Sequence, residues 1–357
     1  MRLPELRGIL TRADVAQTGA SIAAAQEPDG ALPWPDGHTD AWNHTESAMG
    51  LLVSGERDAA ERAYEWLRTN QRPDGSWAMT YERGKVVNPD GESNQAAYVA
   101  VGVWHHWLTT RDRRFVNLMW PVVVRGLNYV VGMQDPGGEI RWARRPDGTM
   151  YPDVLITGCS STLQSLRCGL ALADLLGEQQ PDWELAVGAL HHALAAHPES
   201  FTPKDRWSMD WYYPILGGAL RGDRGRQRIG EQWDTFVVSG LGARCVSDQP
   251  WVTGAETCEL AIALHTLGED DTARELVRQI QHTRHDDGGY WTGWQFANQV
   301  MWPSERSSWT SAAVLLAVDA LSGGPTSELF CGNELPRGLD AECVCGAGSG
   351  GSLQSVR

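Results

Sequence analysis

Gln71-Arg72-Pro73-Asp74-Gly75-Ser76-Trp77 closes one amphipathic segment of the chain and opens a polar loop. The same device recurs as Gln26-Glu27-Pro28-Asp29-Gly30 with Trp34, and as Gln134-Asp135-Pro136-Gly137-Gly138 with Trp142. A looser copy is Gln281 with Asp287-Gly288-Gly289 and Trp291. Pro followed by Asp-Gly or Gly-Gly is turn chemistry, and each turn follows a helical stretch. Repetition of one helix-ending device implies a repeated helical hairpin.

Outward from these turns, helical periodicity alternates with turn clusters from about Ala13 to Leu321. The pattern predicts helices over 13–26, 40–54, 57–71, 94–109, 114–133, 159–176, 182–196, 208–220, 225–234, 252–267, 271–282 and 306–321. One kind, such as SSTLQSLRCGLALADLL from Ser160, is small and apolar on nearly every face; the other, such as RDAAERAYEWLRTNQ from Arg57, is charged on one face. The first kind belongs inside and the second at the surface. Their alternation predicts an all-α (α/α)6 toroid, six inner helices wrapped by six outer ones, over residues 1–322 as a single domain. An open solenoid of helical pairs is the alternative, but twelve helices suffice to close a ring. Thr235–Ser239 is the one plausible strand, and residues 323–357, rich in Gly and Ser, are expected to be a disordered tail.

Composition excludes several functions. The net charge of −15 argues against nucleic acid or an anionic membrane surface as partner. No apolar run approaches the roughly 18 residues that cross a bilayer, which argues against an integral membrane protein. Residues 1–14 lack an apolar signal region, and seven Cys without tight pairing fit a reducing compartment, so a cytoplasmic location is expected. Cys159, Cys168, Cys245 and Cys258 read as buried thiols. Cys331, Cys343 and Cys345 lie in the tail without a neighbouring His or a CxxC pair, so no metal is expected, and no cofactor. No Gly-rich phosphate loop is present; Gly217-Gly218 and Gly240-Leu241-Gly242 are too short.

The stretch Tyr64-Glu65-Trp66-Leu67-Arg68-Thr69-Asn70-Gln71 followed by Arg72-Pro73-Asp74-Gly75-Ser76-Trp77 resembles the QW motif of terpenoid cyclases and the related protein prenyltransferase β subunits. The same turns resemble hairpin ends of (α/α)6 enzymes acting on sugars, such as unsaturated glucuronyl hydrolases. Either resemblance implies the toroid. Triterpene-type class II cyclases protonate an alkene through Asp-x-Asp-Asp, which the chain lacks; Gly268-Glu269-Asp270-Asp271 is an acidic turn opening an outer helix. Asp210-Trp211-Tyr212-Tyr213 is faintly similar to the zinc region of prenyltransferases, but Tyr213 stands where the zinc-binding His would be.

In a toroid the starts of the inner helices line the mouth of the cavity. Those positions carry Asp40, Trp42, Asn43, His44 and Glu46, then Asn94 and Gln95, then Ser160, Ser161 and Gln164. Further round come Asp210, Trp211 and Tyr212, then Trp251 with Glu256 and Glu259, and Glu305, Ser308 and Trp309. Asp40, His44, Glu46, Asp210 and Glu256 are the catalytic candidates, as general acids and bases. Each has a structural alternative: Asp40 and Asp210 suit helix caps and His44 a satisfied second-turn residue. Glu46, in an otherwise small and apolar helix, is costly unless it is used or bonded. Asp210 lies among Trp207, Trp211, Tyr212 and Tyr213, a setting that raises a carboxyl pKa.

Trp42, Asn43, Asn94, Gln95, Trp211, Tyr212, Trp251, Glu305 and Trp309 are the substrate-binding candidates, flat rings for sugar faces beside polar groups for hydroxyls. Trp294 and Trp302 share the mouth, whereas Trp66, Trp77 and Trp142 read as structural. The adjacent pairs His105-His106 and His191-His192 read as helix-surface residues. The expectation is an enzyme acting on a glycan or sugar conjugate, a hydrolase or lyase with paired carboxylates. Its partner is a small-molecule or oligosaccharide substrate. The alternatives are a terpenoid cyclase or prenyltransferase-like enzyme on a polyprenyl substrate, and a non-catalytic binding toroid.

Overall fold

The computed structural model describes residues 2–332 and 335–339. Its first eight helices are α1 (Arg12–Ala25), α2 (Ala41–Val53), α3 (Arg57–Asn70), α4 (Ser93–Thr110), α5 (Arg113–Val131), α6 (Ile156–Leu176), α7 (Pro181–Ala196) and α8 (Ser208–Leu216). There follow α9 (Gly222–Phe236), α10 (Gly254–Thr266), α11 (Asp270–Gln279), α12 (Ser308–Leu321) and α13 (Pro325–Cys331). The even-numbered helices α2 to α12 pack side by side in chain order, and α12 packs back on α2, closing an inner ring. Odd-numbered α1 to α11 lie outside, α1 bridging α12 and α2. The (α/α)6 toroid is therefore closed, and the open solenoid is excluded. Every predicted helix is present, with α8 stopping early at Gly217-Gly218. A Cβ on Gly217 would lie 2.2 Å from the Ser160 carbonyl oxygen, so α8 and α6 meet there at backbone distance.

The repeated turn fastens the outer ring. Gln71 Nε2 donates to Gly75 O and to Val122 O on α5, each at 2.9 Å. Gln26 donates likewise to Gly30 O and to Ala59 O on α3, and Gln134 to Gly138 O and Ala186 O on α7. The glycines have φ of +95°, +95° and +100°, and a Cβ on Gly75 would lie 2.1 Å from the Arg125 carbonyl oxygen. α1, α3 and α5 are thus each stitched to the next outer helix at a spot where only glycine fits. In the loose copy Gly288 rests against Gln17, and Thr18 Oγ1 donates to Gly288 O, which joins α11 to α1.

Strands are more numerous than expected, and all lie in connections leading from an outer helix to the next inner one. β1 (His38–Thr39) precedes α2, and β2 (Thr80–Glu82), β3 (Lys85–Asn88) and β4 (Gly91–Glu92) precede α4. β5 (Ala143–Arg144) precedes α6. β6 (Val237–Val238), β7 (Gly242–Ala243) and β8 (Trp251–Thr253) precede α10, and β9 (Gly293–Gln295) and β10 (Val300–Met301) precede α12. They form antiparallel sheets β1-β2-β3, β10-β9-β8, β4-β5 and β6-β7. At two to four residues each they are below what periodicity can reveal; the run at Thr235–Ser239 contributes β6. The reverse connections, 54–56, 111–112, 177–180, 217–221 and 267–269, are short.

The tail expected to be disordered from residue 323 instead contains α13, which packs on α4, α10 and α12. Thr326, Leu329 and Phe330 are buried there. Gln164 Nε2 donates to Leu329 O at 2.8 Å, Arg221 Nη2 to Phe330 O at 2.8 Å, and Arg167 to the carbonyls of Gly332, Leu335 and Pro336. α13 plugs the end of the ring at which the inner helices terminate. Residues 340–357, with Cys343 and Cys345, lie outside the described residues. No helix among the described residues is long and apolar enough to cross a membrane.

Candidate active site

The inner helices begin at the end opposite the plug, so their N-termini and the strand-bearing loops share one rim. β1 delivers Asp40 to the start of α2, β4 delivers Glu92 to α4, and β8 leads into α10, whose first turn holds Glu256. Helix N-termini carry partial positive charge, which favours carboxylates there. Going down the wall, Glu46 lies six residues beyond Asp40 and Glu259 three beyond Glu256. At about 1.5 Å per residue these are deeper by roughly 9 and 4.5 Å.

Asp40 is the cap of α2 as well as a mouth residue. Its Oδ1 accepts from Asn43 N at 2.9 Å, and its Oδ2 accepts from Asn43 Nδ2 at 2.7 Å and Trp34 Nε1 at 3.3 Å. Glu46 is 2% exposed, and its Oε2 has no protein partner. Burial pushes its carboxyl up to about 8; the Trp309 indole beside it opposes this, and the charges of Asp40 and Glu256 add to it. Glu256 is also buried, with Oε2 unpartnered. α12 stands between α2 and α10 in the ring. Trp309, on its first turn, therefore lies between the two acidic walls.

Glu259 is used differently. Its Oε1 accepts from the Tyr213 hydroxyl at 2.6 Å and its Oε2 from that of Tyr212. Burial and the nearby Glu46 hold its pKa well above the ordinary value. Across the ring, Trp42 of α2 meets Tyr98 of α4 at 5.7 Å and Tyr213 of α8, edge-on, at 5.8 Å between ring centroids. α2 and α8 are opposite members of the ring, so these three rings meet across its middle.

Glu92, absent from the sequence candidates, belongs to the rim. Gln95 Nε2 donates to its Oε2 at 2.9 Å. Burial pushes it up to about 7, opposed by Trp142, Gln95 and Asn94 and reinforced by the charge of Asp40. Asn94 and Gln95 therefore lie beside Glu92. Trp34 and Trp142, both from the repeated turns, lie beside Asp40 and Glu92 respectively. Buried polar atoms without a protein partner gather here: Trp42 Nε1, Glu46 Oε2, both amide atoms of Asn94, Gln95 Oε1, Glu256 Oε2 and Trp309 Nε1. Such atoms are few in folded proteins, and each calls for a water, a ligand or a catalytic role to account for it.

Four expectations are corrected. His44 is fully buried; its Nδ1 accepts from Leu32 N at 3.2 Å and its Nε2 donates to Ala63 O at 2.8 Å. Both nitrogens are committed to main chain, and burial pushes the imidazole down to about 4, so it is a strut between α2 and α3. Asp210 sits in the first turn of α8 rather than capping it, accepts from Thr157 Oγ1, and lines a separate cavity with Lys204 and Arg228. Burial pushes it up to about 6, opposed by the Thr157 hydrogen bonds and by the charges of Arg228 and Lys204. Trp211 is buried against Phe236, its Nε1 donating to Arg228 O at 2.7 Å, and so packs α8 on α9. His105 and His106 are both buried, not on the surface. His105 meets Thr326 of the plug and His106 stacks on Phe115, because an inner helix has no solvent face.

The remaining candidates divide. Tyr212 donates its hydroxyl to Glu259. Glu305 accepts from Thr292 Oγ1 at 3.3 Å and lines a cavity of about 380 Å³ between α1 and α12. Trp251 donates through Nε1 to Trp302 O at 2.6 Å and lines an outer groove. What converges is Asp40, Glu46, Glu92 and Glu256, with indole and amide groups between them. Carboxylates on facing walls beside flat rings are the equipment of glycosidic bond cleavage.

Comparison with known proteins agrees. The chain is 54% identical over 347 residues, 96% of each chain, to an MMP endo-(1,4)-3-O-methyl-alpha-D-mannosidase of Mycolicibacterium hassiacum. It is 23% identical over 186 residues to an uncharacterized glycosyl hydrolase of Methanocaldococcus jannaschii, covering 49% of this chain and 29% of that one. Among solved structures, a glycosidase superposes with a TM-score of 0.66 at 11% identity, covering 87% of this chain and 96% of its own. A GH63 mannosylglycerate hydrolase of Thermus thermophilus gives a TM-score of 0.62 at 12% identity, with 85% and 99% covered. These structures share the fold. No protein-family model matches. The resemblance to glycan-active toroids holds, and the relatives give no support to a terpenoid cyclase.

Proposed function

The chain belongs to the family of the Mycolicibacterium hassiacum mannosidase and is a carbohydrate-active hydrolase; from that premise we propose that it cleaves internal α-1,4 bonds of a 3-O-methylated mannose polymer. The substrate is carried over from the relative. The observation that supports a site for it is the meeting of unpartnered carboxylate oxygens with unpartnered indole and amide groups on one rim. Indole faces suit a sugar ring carrying methyl ethers, which is less polar than an ordinary one.

We assign proton transfer to Asp40 and Glu256, on either side of α12. One delivers a proton to the departing glycosidic oxygen while the other draws one from the attacking water. Glu256 Oε2 is unpartnered, and Asp40 is held in place by its three donors. Glu46, pushed up to about 8, carries its proton at neutral pH and offers an O–H to a sugar oxygen deeper in the cavity. Glu92 is the second candidate for the acid, because burial places it at about 7, close to a working pH.

The test is mass spectrometry of products from defined α-1,4 mannose oligosaccharides with and without 3-O-methyl groups. Internal fragments from the methylated series are expected. Release of single terminal sugars alone would remove the endo assignment, and intact substrate would remove the whole reading. Loss of turnover in Glu92→Gln equal to that in Asp40→Asn would transfer the acid role to Glu92.

A further inference from the structure

Next to the rim, but outside the acidic cavity, lies a groove of about 410 Å³ between the start of α8 and the sheet β8-β9-β10. Its walls include Trp207, 42% exposed, Trp302, 50% exposed, and Val300, 46% exposed. Gln249, Gln295 and Asn298 stand among them. Large apolar side chains left in water together call for an explanation. Their placement is not casual: Trp302 is fixed edge-on against Trp251 at 4.7 Å, and the Trp251 indole donates to the Trp302 carbonyl. On the opposite wall, the Arg206 guanidinium covers one side of Trp207 at 5.4 Å and is itself tied to Asp248.

We propose that this groove is a second glycan-binding site, which holds a stretch of the same methylated mannose polymer several sugars away from the bond being cut. This rests on the cleavage reading above. Exposed indoles alternating with amides match a chain that presents methyl-bearing faces and hydroxyl edges in turn. A lipid partner would not call for the amides of Gln249, Gln295 and Asn298. The groove is joined to the active site through the chain: β8 carries Trp251 and runs directly into α10, where Glu256 lies five residues later. An endo-acting enzyme leaves substrate protruding on both sides of the cleaved bond, and this groove lies where one protruding arm passes. Binding there adds contact remote from the reacting bond, so it selects long chains without altering the chemical step.

The experiment compares the native chain with the Trp207→Ala/Trp302→Ala double variant on a short methylated oligosaccharide, just long enough to be cut, and on a long one. For the long substrate KM is expected to rise about tenfold, the size of effect that two lost ring contacts give, with kcat and all short-substrate kinetics unchanged. Trp302→Phe, which keeps a flat ring, is expected to retain most of the long-chain preference. Equal KM increases for both lengths, or none for either, would overturn the groove while native cleavage of the short substrate still upheld the catalytic assignment. Failure of the native chain on both lengths would overturn the two together. Thermal unfolding of the double variant serves as a fold control. Should it unfold early, the length dependence of Trp302→Phe against Trp302→Leu decides the same question, since both fill the space and only one is flat.

Discussion

At one end of the ring the inner helices begin and at the other they end, and the two ends have been put to opposite uses. The starting end carries every strand and all the long connections, and there polar atoms are left without partners: Glu46 Oε2, Glu256 Oε2, Asn94, Trp42 Nε1 and Trp309 Nε1. The finishing end has short turns and is sealed by α13. Its exposed carbonyls are taken up by long side chains, Gln164, Arg167 and Arg221. His265 there is held between Asp270 and Ser327, at 2.7 and 2.8 Å. Satisfied polar groups stabilise a fold, and unsatisfied buried ones cost stability and are retained where a ligand completes them. α13 covers the finishing end by packing on α4, α10 and α12, although Gln164 Oε1 and His105 Nδ1 beside it also lack a protein partner.

The comparison breaks most visibly if chemistry and stability fail to separate between the two ends. Asp40→Asn and Glu256→Gln at the open rim are each expected to lower kcat by about a thousandfold, the usual range for a lost acid or base, with little change in unfolding midpoint. A variant that keeps near-native turnover would remove that residue from the pair. At the sealed end, Leu329→Ala is expected to cost about 3 kcal/mol in denaturant unfolding, since it empties a fully buried site in the plug. Native kcat should survive wherever the variant is folded; a matching loss of kcat would mean that the plug shapes the site.

Glu46 sharpens the comparison through pH. Its folded pKa is raised from 4.5 to about 8, so the native state keeps a proton that the unfolded chain releases. Stability from this group is present below 4.5 and is lost as pH rises toward 8. Glu46→Gln, which removes the ionisation, should therefore stabilise the protein at pH 8 by on the order of 4 kcal/mol and hardly at all at pH 4. A pH-independent difference would show that Glu46 is not buried as a neutral acid. The smallest effect is expected in the outer ring. Gln71→Ala removes the donor to Gly75 O and Val122 O and should cost about 1 kcal/mol by chemical denaturation, with kcat untouched.

Much of this could be read from residues alone. Twelve helices, their alternation and the closing of the ring follow from periodicity and from the repeated Gln…Gly turn, because both are local. Asp40, Glu46, Asn94, Gln95 and Glu256 emerge from asking which residues start inner helices. Glu92 escapes that question because it ends a two-residue strand that no periodicity can show. His105 and His106 defy the surface expectation because adjacent side chains point in different directions, which ordinarily sends one into solvent; on an inner helix every direction is interior. Asp210 and Trp211 start an inner helix too, but α9 and the loop before α8 draw them into a different cavity.

The sequence by itself determined the architecture and the chemical type of the lining, since helix period, turn geometry and the choice of Asp, Glu and Trp are properties of short stretches. Tertiary structure alone decided which carboxylates share a cavity. It also turned the repeated turns into a belt for the outer helices, with Trp34 beside Asp40 and Trp142 beside Glu92, and it made a Gly-rich tail begin with a plug. Those outcomes depend on contacts between residues far apart in the chain, such as Gln164 with Leu329 and Trp42 with Tyr213, and such pairings leave no local pattern to read.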